Sequence, residues 1–328
     1  MIQTIYIEKE VREHPRTLDI CKRFPNATLI ECDRYGSVFN SNAQNFRLQK
    51  QQPSLILANK HKNHVLPTPP DYGIGGTRNY YFSHMLNCVY DCRYCFLQGM
   101  YRSANYVVFV NYEDFLGQIK KLTLESKDNT WFFSGYDCDS LAMEPMTGFM
   151  QYTLDQFFGL KHAMLEIRTK STQIRDLLNR QVLENCVVAF SFTPEKLASS
   201  LEHKVPTIEK RIKAIEKLQK QGWKIGLRFD PIISTDSIQS DYRELLTTIF
   251  ETIDAGSIHS VSYGTFRLPK PFFKKMVKLY PEEKLFALPL TEHNAQVSFE
   301  PDEEHRCRQI VHCELTKFID EDIIFPCS

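Results

Sequence analysis

The sequence predicts an α/β protein built around a partial (β/α)6 barrel, and three observations carry the prediction. Between residue 77 and about residue 281, short apolar runs alternate with amphipathic segments, the pattern of parallel strands joined by crossover helices. Counting the run just before a cysteine cluster, six such units follow one another, where eight would close a full TIM-like barrel. The runs end in polar residues, and in parallel α/β architectures ligands bind at the carboxyl ends of the strands.

Taken in order, residues 1–76 read as a small N-terminal α/β domain. Ile2 to Ile7 alternates like a short strand, Arg16 to Phe24 fits a helix, and Ala27 to Cys32 and Ser54 to Ala58 fit two further strands. A linker follows from Leu66 to Gly76, where prolines remove backbone donors and glycines permit positive φ. Its glycines do not make a phosphate loop, because no lysine follows at the required spacing. The barrel, 77–281, opens with the strand Tyr80 to His84. It continues with helices at Tyr112–Leu124, Met150–Phe158, Ile174–Leu178 and Tyr242–Ile253, and strands at Thr130–Ser134, Ala163–Lys170, Val187–Phe192, Lys224–Asp230 and Ile258–Arg267. The clearest helix places Ile208, Ile212, Ile215 and Leu218 on one face, with Thr207 to cap its start and Gly222 to end it. Beyond Tyr280 the periodicity lapses. Leu285 to Glu300 reads as irregular, and a C-terminal helical extension, 282–328, carries a helix from Asp302 to about Phe318 whose acidic first turn suits the helix dipole.

Forty basic and forty acidic residues balance in the 328-residue chain, so no overall field draws it to nucleic acid or to an anionic membrane. Charges come too early at the N-terminus for a signal-peptide core, and no apolar run approaches a membrane span. The expectation is a soluble cytoplasmic protein without a membrane partner. Ten cysteines without a secretory leader fit a reducing compartment rather than a disulfide framework. Cys21 and Cys32 read as small buried hydrophobes, and Cys307, Cys313 and Cys327, which form no C-x2-C pair, as isolated buried thiols.

The chemistry concentrates in Cys88-Val-Tyr-Asp-Cys92-Arg-Tyr-Cys95, three thiols at the spacing C-x3-C-x2-C. Iron–sulfur clusters are held by thiolates from short runs, and four normally complete a cubane. With three, one iron keeps an open position for a small molecule. A structural zinc site is the competing reading. It wants four ligands, usually from two knuckles, and the chain has no second knuckle; His84 is a possible fourth ligand, though a histidine at a strand end more often packs.

Spacing, aromatic filler and the strand-like lead-in resemble the radical S-adenosylmethionine (radical SAM) enzymes. Within them, Cys88–Cys95 followed by Phe96-Leu-Gln98 and Tyr106–Phe115 is similar to the spore photoproduct lyase family, also called DNA repair photolyases. The similarity continues through Thr169-Lys170, Ser191, Glu209-Lys-Arg-Ile212, Pro231-Ile232 and Arg267–Pro271. The resemblance implies a radical SAM barrel with Cys88, Cys92 and Cys95 on a 4Fe-4S cluster and S-adenosyl-L-methionine on the open iron. Reductive cleavage of that cofactor would yield a 5′-deoxyadenosyl radical that abstracts hydrogen from a linked thymine dimer. Damaged DNA is then the implied partner, with a reductant such as flavodoxin or ferredoxin. Tyr94, Asp139, Lys170 and Ser191 supply the group types the cofactor needs, and Arg228, at the end of the fifth strand, joins them.

The chain departs from the family pattern at three points. Tyr136 stands where the family has a hydrogen-donating cysteine, with Cys138 two residues on, so both are candidate donors. Tyr94 matches one tyrosine of the family's radical relay, whereas Phe96 replaces the other. The basic, aromatic DNA-gripping hairpin is shortened to Leu288–Val297, which leaves Lys270, Lys274, Lys275 and Lys278, with Phe272 and Phe273, as the basic segment nearby. Two alternatives therefore stand beside lesion repair: a radical SAM enzyme acting on something other than DNA, and a metal- or cluster-bearing module without catalysis.

Overall fold

The computed structural model describes residues 2–69 and 72–327, so residues 70 and 71 of the linker lie outside the described residues. The chain enters through β1 (Thr4–Glu8), α1 (Pro15–Lys22), β2 (Thr28–Cys32), α2 (Tyr35–Phe39), α3 (Phe46–Gln51) and β3 (Leu55–Ala58). It then runs through β4 (Val65–Pro67) and β5 (Arg78–Phe82) into the cysteine region, framed by β6 (Met85–Leu86), β7 (Asp91–Cys92), α4 (Leu97–Met100) and β8 (Tyr106–Phe109). Regular alternation follows: α5 (Tyr112–Leu124), β9 (Thr130–Ser134), α6 (Glu144–Thr147), α7 (Phe149–Phe157), β10 (Ala163–Thr169), α8 (Arg175–Leu178), β11 (Cys186–Ser191), α9 (Glu195–Leu201). Next come β12 (Glu202–His203), α10 (Ile208–Gln221), β13 (Lys224–Ile232), α11 (Ile238–Phe250) and β14 (Ile258–Thr265). The chain finishes with β15 (Arg267–Pro269), α12 (Lys270–Leu279), β16 (Leu290–His293), β17 (Gln296–Phe299), α13 (Pro301–Leu315) and β18 (Ile324–Pro326).

The main sheet has the order β18-β14-β13-β11-β10-β9-β5-β4. Its six central strands are the six expected from the sequence, all parallel in neighbouring pairs, and they form the partial barrel. Two edges were not expected. Antiparallel β4 covers β5, and β18, drawn from the chain's last residues, adds a parallel strand to β14. Neither run is long enough to show a period. Ile74 from the linker, Trp131, Phe133 and Val187 form an apolar cluster with Tyr81, Met164 and Phe325 packed against it, which joins the linker to the sheet's central strands and its β18 edge.

A second sheet, β2-β1-β3-β8-β6, gathers the N-terminal strands, and beyond residue 76 it takes in β6 and β8. Tyr106–Phe109 is buried throughout, so alternation could not reveal it as a strand. The irregular reading of Leu285–Glu300 is corrected. β16 and β17 form a hairpin whose turn residues Asn294 and Ala295 both have positive φ, as a two-residue type I′ connection requires, and β15 completes a small sheet. Helix α10 behaves as read: the Thr207 side chain accepts from Lys210 N–H, and Gly222 ends the helix in the left-handed region at φ 97°.

Candidate active site

A cavity of about 520 Å³ lies at the carboxyl ends of the barrel strands, lined on one side by Cys88, Cys92 and Cys95. The cysteine loop is held from several directions. Asn87 takes positive φ at its entrance, and its amide donates to the Ser103 and Asn105 carbonyls at 2.8 and 2.7 Å. At its centre β7 pairs with β12, so Cys92 stands opposite Glu202, and Arg93 N–H donates to the Leu201 carbonyl at 2.8 Å. Gln98 donates to Asp91 at 2.9 Å and accepts from the Tyr280 hydroxyl at 3.1 Å, while Arg93 bridges Asp91 and Glu283. These polar clamps place the thiols before any ligand arrives.

The donor set separates the two metal readings. Thiolates on one tetrahedral zinc, at about 2.3 Å each, sit roughly 3.8 Å apart. The three sulfurs are not gathered within 4.8 Å of one another. That wider spacing suits a cluster in which each thiolate takes its own iron. Burial raises all three thiols above their ordinary range, Cys92 to about 12, so thiolates here call for cationic centres between them. His84 is not among the ligands. It is buried, stacked on Phe149 with centroids 4.0 Å apart, and absent from the cavity lining.

Lys170 directly follows β10 and donates to Glu202 at 2.6 Å; its ammonium also meets the Tyr94 hydroxyl, which donates to Glu202 in turn. Arg211, from α10, completes the set at 2.9 Å from the second Glu202 oxygen. Burial alone would push Glu202 up, but Lys170 and Arg211 outweigh it and hold the carboxyl at about 2. Glu202 was not among the residues expected from the sequence, since it lies at a helix end with no motif around it. Arg211 stood within the Glu209–Ile212 motif without a role.

Asp139 lines the same cavity. Its Oδ1 accepts from Leu141 N–H, Ala142 N–H and the Thr169 hydroxyl, whereas Oδ2 accepts only Lys170 N–H at 2.7 Å and keeps a lone pair. Ser191, at the end of β11, lines the cavity, and its hydroxyl makes no bond among the described residues. Cys88, Cys92, Cys95, Tyr94, Asp139, Lys170 and Ser191 therefore surround one space.

Arg228 also lines this cavity, with its guanidinium committed to protein partners. It is 1% exposed, and its guanidinium is engaged with Glu166 at 2.7 Å, the Leu227 and Ser260 carbonyls and the Ser260 hydroxyl. Its counter-ion is Glu166 on β10, two strands away in the sheet. Of the two candidate donors, Tyr136 stands in the cavity, its ring 4.3 Å from that of Tyr81 and 5.2 Å from that of Phe96. Cys138 lines the same cavity, but it is 6% exposed and packs into the apolar cluster of the N-terminal sheet, where Met85 N–H bonds its sulfur. Cys327 is a further thiol in the cavity lining, placed there by β18, whereas Cys307 is buried and Cys313 exposed. Cys21 and Cys32, expected to be buried, are both half-exposed.

A half barrel with three cysteines on a clamped loop at its mouth is the architecture of the radical SAM proteins. Within that class, the chain belongs to the spore photoproduct lyase family, whose model, described as Spore photoproduct lyase, matches residues 77–299. The chain is 22% identical over 334 residues to the Spore photoproduct lyase of Bacillus subtilis (strain 168), covering 96% of this chain and 95% of that protein. It is 22% identical over 292 residues to that of Clostridium acetobutylicum, covering 87% and 84%. A solved Spore photoproduct lyase variant with bound AdoMet and dinucleoside spore photoproduct superposes at TM-score 0.85 and 17% identity, over 99% of this chain and 98% of that one.

Proposed function

We propose that this chain is a radical SAM lyase that repairs a linked thymine lesion of the spore photoproduct type. The observation that carries the reading is the convergence of three clamped thiols, a carboxylate with a free lone pair, a lysine and an unpartnered serine hydroxyl on one enclosed cavity. When bound, a 4Fe-4S cluster with S-adenosyl-L-methionine on its open iron supplies, after one-electron reduction, an adenosyl radical able to take hydrogen from the lesion. Cys88, Cys92 and Cys95 would hold the cluster, and Asp139 Oδ2 would accept from the cofactor's amino group while Ser191 and Lys170 would take its carboxylate. Lys170 keeps its position because Glu202 and Tyr94 fix its ammonium. The electron comes from a reductant of the flavodoxin or ferredoxin kind.

The hydrogen returned to the substrate comes from Tyr136 rather than Cys138. A hydrogen-atom donor must still carry its proton; burial raises both the Tyr136 phenol, to about 12, and the Cys138 thiol, so exposure separates them, Tyr136 being 37% exposed and Cys138 6%. As the phenolic O–H bond breaks and a substrate C–H bond forms, a neutral tyrosyl radical is left, beside Tyr81. Cys138 lines the cavity too, but its sulfur is bonded by Met85 N–H and packed among the apolar residues of the N-terminal sheet.

The test is turnover. Anaerobically reconstituted protein given S-adenosyl-L-methionine, dithionite and dinucleoside spore photoproduct should release thymidine. Formation of 5′-deoxyadenosine with no thymidine recovered removes lesion repair and leaves the radical enzyme with another substrate.

A further inference from the structure

The family reading supplies a DNA substrate, yet the hairpin at the cavity mouth offers no free cation: its acid, Glu292, pairs with Lys270. We propose that the outer face of α12 is the surface that holds the DNA backbone while the lesion occupies the cavity. The proposal rests on the repair reading above, and its test fails separately from that reading.

Helix α12 reads Lys-Pro-Phe-Phe-Lys-Lys-Met-Val-Lys-Leu, four lysines and no acid, in a chain whose charges otherwise balance. At 100° per residue, Phe272 and Met276 lie on one side. That side is fixed against α4 so closely that a methyl group on Gly99 would lie 2.4 Å from the Phe272 carbonyl oxygen. Lys274 and Lys278 fall on the opposite side and Lys275 on the flank beside them, and all three are exposed.

A lysine-rich helix face is ordinarily a solvated one laced with acids, and α10 shows that pattern: Lys213 pairs with Glu209 and Lys220 with Glu216, each one turn away. On α12 the arrangement differs. Among the described residues, Lys274, Lys275 and Lys278 have no carboxylate partner. The nearest acids along the chain, Glu282 and Glu283, are engaged by Arg47 and Arg93. The positive charge is therefore uncompensated on that face.

Its place relative to the cavity fits the occupant. Phe272, in the first turn of α12, and Leu268, Pro269 and Gln296 beside it line the cavity mouth. The lysines begin two residues further on. Lys274 and Lys278 stand about 6 Å apart along the axis, roughly two phosphate steps of one DNA strand. A strand running along α12 would thus present a flipped-out lesion at the mouth.

The test uses cluster-loaded protein carrying Lys274→Gln, Lys275→Gln and Lys278→Gln together. Binding of a duplex bearing one spore photoproduct is followed by fluorescence anisotropy between 50 and 200 mM salt, a range chosen on the order of that over which phosphate neutralisation registers. Affinity is expected to fall at least about tenfold, and the slope of log affinity against log salt to become shallower by roughly 2 to 3, near 0.9 for each phosphate that no longer meets a lysine. Turnover of the dinucleoside lesion, which has no flanking backbone, is expected to persist. Unchanged duplex affinity and slope overturn the proposal. So does an equal loss from Lys213→Gln, Lys217→Gln and Lys220→Gln on α10, which removes the same charge elsewhere. If wild-type protein fails to turn over the dinucleoside lesion, the repair reading falls, while the salt slopes still decide whether α12 holds DNA.

Discussion

Lys170, Tyr94 and Arg211 meet on the one carboxylate of Glu202, a cluster largely withdrawn from bulk water. Removing the acid would leave two cations in the interior without a counter-ion, which costs about 3–5 kcal/mol where one partner of a buried pair is removed. Glu202→Gln keeps the shape and removes the charge. It should lower unfolding free energy in urea by that order, and a decrease under about 1 kcal/mol would mean that the cations find other partners. Tyr136 and Cys138 allow a cleaner separation, because both line the cavity but Tyr136 is 37% exposed and Cys138 6%. Tyr136→Phe should leave 5′-deoxyadenosine formation intact, divert the product away from thymidine, and abolish a tyrosyl signal in samples frozen during turnover. Cys138→Ala should leave product identity unchanged and cost stability alone. If product identity shifts with Cys138→Ala instead, the assignment reverses.

Among the elements, those with a full period were legible and those without one were not. Helix α10 could be read to the residue because a capping threonine, four apolar positions on one face and a terminal glycine all agreed. The strand β8 is apolar on both faces, β18 is three residues long, and the hairpin is made by two left-handed turn residues; none leaves a repeat in the sequence. Site residues divide in the same way. The cysteines could be found from spacing, and Asp139, Lys170 and Ser191 from their strand ends, but Glu202 and the Arg228–Glu166 pair are three-dimensional facts. Such close approaches also position α12. Gly99→Ala would drive a methyl group into the Phe272 backbone, which cannot yield as the tip of a long side chain can. The helix must move or its packing on α4 must open, at a cost of about 1–3 kcal/mol. Tm should fall and duplex affinity weaken together, whereas a fully stable Gly99→Ala protein would show that α4 and α12 can separate freely.

At the scale of the whole molecule, the N-terminal sheet and the barrel share a joint, and His84 sits in it. The residue follows β5 of the barrel, its carbonyl accepts from Phe109 N–H on β8 of the other sheet, and its ring stacks on Phe149 beside Tyr112. Burial, with the Lys60 ammonium nearby, lowers its pKa to about 3. The folded chain therefore keeps His84 neutral, while the unfolded chain takes up a proton near pH 6.5. Stability from this residue is fully present above about pH 6.5 and is lost as pH falls toward 3, with a total on the order of 5 kcal/mol. Glu144, raised to about 7 by burial, has the opposite sign, stabilising below its unfolded value and losing that contribution as pH rises through about 7. A comparison of two chains that both carry Glu144 cancels it. His84→Phe preserves a ring against Phe149 and removes the titration, so urea unfolding of the variant and the wild type should differ little in their pH response above about 6.5 and diverge in the variant's favour from about pH 6 to about pH 4. Parallel curves across that range would mean that protonated His84 is accommodated, and that the joint between the two sheets opens to water before the fold is lost.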